Sequence, residues 1–289
     1  MRKALRSVLD FLLFSNVFMS LCAVAQALVT FHLINSKPDY QVLALLFTST
    51  LGIYNFCILI SKPKQPQRSP YLRVRWFFAH YRLMVTFTIV SLLSLIPLFF
   101  LVSAESKILL IFLGIISFCY GLPLFSLDDK KFGLRNIPGL KPFLITIVWT
   151  LSVVLLPIMQ AQEMQVTISM HDTIILMTKR FLFIFALTVP FDIRDLFHDN
   201  ELGVRTIPVM LGEKRAYQFC QVLLGGYIAL LFIYQKNLTA DFLALTFVAL
   251  LTGWLIFKSK WKKNEYYYFL YLDGVLILQY VFLLLFTLL

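Results

Sequence analysis

Polar residues in this chain are bunched, and between the bunches run long stretches that carry almost no charge. Each stretch approaches the roughly 20 apolar residues that an α-helix needs to cross the hydrocarbon core of a bilayer. The pattern predicts nine spans, at about 8–32, 40–61, 82–102, 107–127, 142–158, 172–191, 216–234, 239–257 and 269–289. Backbone groups find no partner in lipid, so runs of this length read as helices. The fold class is all-α: a polytopic membrane protein built as a nine-transmembrane-helix bundle. Short connections predict that residues 1–289 form a single domain with no soluble module attached.

Composition agrees with that reading. The chain is 60% hydrophobic and only 14% charged, against about a quarter charged for a soluble domain, so a soluble enzyme is excluded. The net charge of +11 belongs to one face. Lys and Arg crowd the N-terminus and the second, fourth, sixth and eighth connections. Of the 26 such residues, only Lys37, Lys107, Lys179, Arg180 and Lys236 fall on the other side. The positive-inside rule then predicts a cytoplasmic N-terminus and a C-terminus across the membrane. These cations orient the protein and attract anionic membrane lipids; nucleic acid is excluded as a partner. The N-terminal "MRKALRSVLDFLLFSNVFMSLCAVAQA" resembles a cleavable signal, but its apolar run continues past the "AQA" and is expected to stay as the first span. Lys179 and Arg180 are expected to snorkel outward, and the four cysteines have no metal-ligand spacing.

One segment carries chemistry. "VPFDIRDLFHDNELGVRTIPVMLGEKRA" (189–216) follows the sixth span and opens with Asp192, Asp195 and Asp199. If the helix continues, these stand at i, i+3 and i+7, within an arc of about 60° and over about 10 Å of axis. An acid in a bilayer costs about 2.5–3.5 kcal/mol at the centre and less at the rim, and three together repel. Two compensations are open: Arg194 and Arg205 forming a structural network, or a hard divalent cation such as Mg²⁺, which takes carboxylate and phosphate oxygens. In the second case nearby cations would meet the remaining phosphate charge. Lys130 and Lys131 in the fourth connection are candidates for that, or ordinary positive-inside charge.

The D-x-x-D-x-x-x-D at the end of the sixth of nine spans, followed by "LGVRTIPVMLG", resembles the second Asp-rich motif of the UbiA superfamily of intramembrane prenyltransferases. "CYGLPLF" (119–125), "LRNIPGLKPFLITIVW" and "YLDGVLILQ" (271–279) are similar to other parts of that family. The resemblance implies a central, lipid-accessible cavity capped on the cytoplasmic side, where two Asp-rich motifs hold Mg²⁺ against a prenyl diphosphate that reacts with a lipophilic acceptor. It makes Asp192, Asp195 and Asp199 the metal-binding and catalytic residues, with Asn55, Arg68, Lys130, Lys131 and Arg205 on the substrate. The first motif of the family departs here. Asn55 fits its leading position, but Phe56, Leu59 and Pro63 stand where carboxylates belong, and no Asp or Glu occurs between Gln41 and Ala104. Transfer with an incomplete metal site, binding of a phosphorylated lipid without reaction, and a scaffold or assembly role are the three outcomes this leaves. The oligomeric state is not written in the sequence.

Overall fold

The computed structural model of the chain describes residues 2–122, 125–127, 130–132, 137, 139–197, 205–234, 239–261 and 264–288, with backbone alone at 2, 3, 125–127 and 130–132. Its helices are α1 (Arg2–Phe14), α2 (Val17–Leu33), α3 (Tyr40–Ile60), α4 (Leu72–Ala79), α5 (Tyr81–Leu101) and α6 (Ala104–Gly121). A hairpin of β1 (Phe125–Leu127) and β2 (Lys130–Phe132) follows, with Ser126 opposite Lys131. Then come α7 (Leu140–Thr150), a π-helical turn (Leu151–Leu155), α8 (Leu156–Glu163) and α9 (Met170–Arg194). The chain continues through α10 (Ile207–Leu211), α11 (Glu213–Tyr234), α12 (Ala240–Ser259), a second π-helical segment (Tyr267–Leu272) and α13 (Gly274–Leu288).

Among the described residues eight helices are long and apolar enough to cross a membrane, and nine if α1 and α2 count as one bent span. This is an integral, multi-pass membrane protein. The first predicted span is corrected: it breaks between Phe14 and Val17 with a 63° bend. Asn16 sits in the left-handed region there (φ 69°), a conformation that Asn tolerates better than other side chains. Only Ser15 and Asn16 interrupt the apolar run at the break, too short a polar stretch to divide one predicted span into two. The predicted fourth span, 107–127, also ends earlier, at Gly121, because residues 125–127 form β1. The helices that start on the face away from Asp192 begin with side-chain caps, which occupy amide groups the helix leaves free. Asp39 accepts from Gln41 N and Val42 N; Ser103, Ser169 and Thr239 cap α6, α9 and α12 in the same way.

Successive spans pack into a ring: α2 on α3, α3 on α5, then α7 on α9, α9 on α11, α11 on α12, α12 on α13 and α13 back on α2. The main core lies between α2, α9, α11, α12 and α13, around Phe183, Leu187, Leu224, Val248 and Leu272. A smaller cluster, Val42, Leu45, Leu109, Leu113 and Leu156, joins α2, α3, α6 and α8.

Arg180 does not snorkel. It is 6% exposed, near the middle of α9, and ties three spans together. Its Nη1 donates to Gln26 Oε1 and, at 3.1 Å, to Gln279 Oε1; its Nη2 reaches Thr30 Oγ1 at 3.4 Å. Outside aqueous solvent a guanidinium needs acceptors on every arm, and two glutamine carbonyl oxygens and a hydroxyl supply them here. Arg180→Ala is expected to cost about 1–3 kcal/mol through the acceptors it strands, read as faster denaturation in mixed detergent. Arg180→Lys is expected to rescue little, because one ammonium cannot reproduce the fork.

Candidate active site at the Asp-rich end of the bundle

The site forms where α3 and α9 end and α7 begins. In the last turn of α9, Asp192 turns into the bundle and is 2% exposed. Its Oδ1 lies 2.6 Å from Lys141 Nζ. Lys141 is the second residue of α7, whose entry is set by Gly139 at φ +69°; the Gly139 N–H donates to the Arg205 carbonyl at 2.9 Å. Asp195 is the C-cap of α9. It accepts from its neighbour Arg194 through Nε (2.9 Å) and Nη2 (3.1 Å), and from Tyr71 Oη at 3.4 Å.

Arg194 is boxed by aromatic rings. Its guanidinium carbon lies 5.2–5.8 Å from the ring centres of Tyr71, Phe191, Tyr268 and Phe269, a geometry that stabilises a cation. Arg73, from α4, lies 5.1 Å from the same Phe269 ring. Arg73 Nη2 donates to Asn16 Oδ1, and Asn16 Nδ2 donates to Asn55 Oδ1 at 2.6 Å. The bend between α1 and α2 is what delivers Asn16 to this chain of bonds. The Glu265 carboxylate accepts from Leu72 N at 2.5 Å and Arg73 N at 3.0 Å, which fixes the start of α4. Burial lowers the Arg73 pKa from the usual guanidinium value; Tyr54, Asp273 and Glu265 oppose the shift and Arg194 adds to it. An arginine stays charged under such a shift.

Three buried donors in this connected cluster have no acceptor among the described residues: Arg73 Nε, Arg194 Nη1 and Asn55 Nδ2. Each is a cost of about 1–3 kcal/mol, more for the charged groups, unless a ligand or water supplies an oxygen. Next to Asn55, at Tyr54, begins an apolar cavity of about 650 Å³. Tyr54, adjacent to Asn55 on α3, lines it together with Tyr120 and Trp149, and Trp149 Nε1 donates to Tyr54 Oη at 3.0 Å. A buried cationic cluster with unfilled donors therefore adjoins a greasy chamber where Asn55 neighbours Tyr54.

The same architecture occurs in solved structures. A UbiA homologue from Archaeoglobus fulgidus bound to GPP and Mg²⁺ superposes with a TM-score of 0.67 at 12% identity, covering 97% of this chain and 100% of that one. The apo structure of a UbiA homologue from Aeropyrum pernix K1 gives 0.65 at 15% identity, with 93% and 98% covered. A structure reported for digeranylgeranylglyceryl phosphate synthase in membranes gives 0.55 at 17%, with 100% and 98% covered.

This chain has the UbiA fold.

No protein-family model matches the sequence, and no curated protein does; the likeness lies in the fold. Structures with the UbiA fold have been solved with Mg²⁺ and with Cd²⁺ bound, so the fit of a metal here can be tested on the side chains. As arranged, the described carboxylates do not form a magnesium site. Asp192 lies on Lys141 and Asp195 on Arg194, where an ion would need their oxygens. Among the described residues no group of three His, Cys, Asp or Glu side chains is placed to hold a metal. At the first motif Phe56 stands where a carboxylate was expected and packs edge-on against Phe118 with ring centres 5.4 Å apart. Asp199, the third expected ligand, falls outside the described residues.

The remaining expected contacts divide. Asn55 is fully buried within the cluster. Arg68 is exposed on the 3-10 turn Pro66–Arg68, and Arg205 is exposed with its backbone carbonyl engaged near Lys141. Lys130 and Lys131 belong to β2, and their side chains are outside the described set. The sequence reading offered Arg194 as a counter-charge to the acids, and it pairs with Asp195; it did not single out Arg73, Lys141 or Asn16 for the site. One signal for Arg73 was available: it is a cation in the aromatic run "YLRVRWFF".

Proposed function

We propose that this protein binds a prenyl diphosphate at the Asp-rich face, which we take to be cytoplasmic, and transfers its isoprenoid to a lipid-soluble acceptor. The observation that carries this is the set of unfilled donors on Arg73, Arg194 and Asn55 beside the apolar cavity. Diphosphate oxygens satisfy the donors, and the hydrocarbon tail fills the chamber. Guanidinium groups are suited to this, since they meet phosphate oxygens bidentately.

In the reaction the bond between the allylic carbon and the diphosphate oxygen breaks, and the bonding pair leaves with the diphosphate. Positive groups fixed where that charge develops lower the barrier; Arg73, Arg194 and Lys141 are the cations at hand. Lys130, Lys131, Arg68 and Arg205, carried by connections of the same face, add positive potential. The aromatic faces of Tyr54, Tyr120 and Trp149 line the chamber in which the allylic cation is captured. The acceptor attacks the allylic carbon and then loses a proton, which the departed diphosphate takes up. Asp192 and Asp195 hold Lys141 and Arg194 in place.

A second reading, binding of a phosphorylated isoprenoid without transfer, is favoured by those same two ion pairs, because they close the acids to a cation. Calorimetric binding of geranyl and geranylgeranyl diphosphate to the purified protein, in Mg²⁺ and in EDTA, followed by diphosphate release on adding lipid-soluble aromatic and quinone acceptors, separates the two. Binding with release is the expected result. Binding without release across the acceptor panel establishes the second reading, and no binding in either buffer sinks both.

A further inference from the structure

A surface of carboxylates repels a diphosphate, and a divalent ion bridging the two reverses the sign that the ligand meets. In this protein the sign is already reversed, on both sides of the site. On the α3 side no Asp or Glu occurs between Gln41 and Ala104, whereas Lys62, Lys64, Arg68, Arg73, Arg75 and Arg82 do. The fold carries Arg73 to Asn55, the residue that fits the leading position of the first motif. Its Nη2 donates to Asn16 Oδ1, and Asn16 Nδ2 donates to Asn55 Oδ1 at 2.6 Å.

On the α9 side the acids are present but carry cations of the chain itself. Lys141 Nζ lies 2.6 Å from Asp192 Oδ1, and Arg194 spans both oxygens of Asp195 at 2.9 and 3.1 Å. An ion binding these oxygens would have to push Lys141 and Arg194 aside and then sit beside their like charges. The same cations retain capacity for an anion. Lys141 keeps 26% of its side chain exposed, and Arg194 Nη1 and Arg73 Nε are buried donors with no acceptor among the described residues. Both guanidinium groups lie on the Phe269 ring, at 5.1 and 5.7 Å, so the cations of the two sides meet in one place.

We propose that these side chains stand in for the metal: the prenyl diphosphate binds as the bare anion, without a divalent ion. Arg73 grips it from the α3 side, and Arg194 and Lys141 grip it from the α9 side. The inference rests on the reading that a prenyl diphosphate is the ligand and specifies the chemical form in which it binds. Guanidinium groups suit that form, because their planar fork matches a pair of phosphate oxygens. Mg²⁺ then works against binding. It takes phosphate oxygens that the arginines would use, and it cancels part of the charge that attracts them.

The test titrates the full chain with geranylgeranyl diphosphate in EDTA and in millimolar Mg²⁺. Binding in EDTA at least as tight as in Mg²⁺ is expected. Tighter binding in Mg²⁺ overturns the inference and leaves the substrate standing, whereas no binding in either buffer removes the substrate as well. In EDTA, Arg194→Gln and Lys141→Gln should each weaken binding by about tenfold or more, the loss of a hydrogen bond to a charged group. Lys141→Arg keeps a cation on Asp192 and should stay within about threefold of the parent. If Lys141→Gln does not fold, Arg194→Gln decides alone, and parent-like binding by it overturns the proposal. Dissolved Mn²⁺ gives a readout without substrate: its paramagnetic resonance signal should be unchanged by the protein. Loss of signal that Asp192→Asn, Asp195→Asn or Asp199→Asn restores would put a metal on these acids and overturn the proposal. Loss that all three variants retain arises elsewhere and upholds it.

Discussion

Arg73→Ala is expected to weaken binding of a prenyl diphosphate by about 10- to 100-fold, the equivalent of one hydrogen bond to a charged group worth about 1.5–3 kcal/mol. Arg73 carries an orphaned Nε, rests on the Phe269 ring and is tied through Asn16 to Asn55. Its removal takes away a donor and loosens the geometry of Asn55 as well. Arg73→Lys keeps the charge and loses the planar fork, so it should fall between the two. Size-exclusion profiles and helical content are expected to match the unmodified protein, because the backbone amides of Leu72 and Arg73 remain on Glu265 whatever the side chain. Titration calorimetry checks the prediction, and an Arg73→Ala variant that binds as tightly as the parent would remove the cationic pocket from the proposed reaction.

Lys141→Met should be the most destabilising single change at this end of the bundle. Asp192 is nearly sealed, with 3% of its side chain exposed, while its partner Lys141 is 26% exposed. Taking away the cation leaves a buried carboxylate to bear its desolvation without its counter-charge, a loss of about 3–5 kcal/mol for a fully buried pair. The partial exposure of Lys141 places the effect at the low end, about 3 kcal/mol. Adding Asp192→Asn to Lys141→Met removes the stranded charge and should recover most of the loss, as buried pairs exchanged for neutral groups commonly do. Thermal denaturation in detergent of the parent, both single variants and the double gives the coupling directly. A double variant no more stable than Lys141→Met would mean that Asp192 is held by something other than its charge.

How far the sequence could be read differs by the range of the interactions involved. Span positions depend on local composition, and α3, α5, α9, α11 and α12 fall within a few residues of their predicted limits. The Asp-rich end of the sixth span was visible because its spacing is local too. Partnerships were not. Lys141 and Asp192 are 51 residues apart in the chain, and nothing in either neighbourhood names the other. Arg180 was misread for a related reason: side-chain charge was assigned by loop bias, whereas its fate was decided by Gln26 and Gln279 on two distant helices. The break at Asn16 leaves only the polar pair Ser15–Asn16 in the hydrophobic pattern, and one residue type that accepts a left-handed backbone.

The ninth span opens as a π-helix over Tyr267–Leu272, and a π turn holds one residue more than the α turn it replaces. Tyr268 and Phe269, which flank the two arginines, sit in that surplus turn. Deleting a single residue there would close the π turn to an α turn, leaving the flanking helix faces nearly in register while removing one position from the turn that carries the rings. The aromatic platform beneath Arg73 and Arg194 is thus keyed to a residue count and not to residue identity alone. Aligning this span with a relative whose ninth helix lacks the surplus residue requires a one-residue gap at the turn; without it, the wrong rings are set opposite one another.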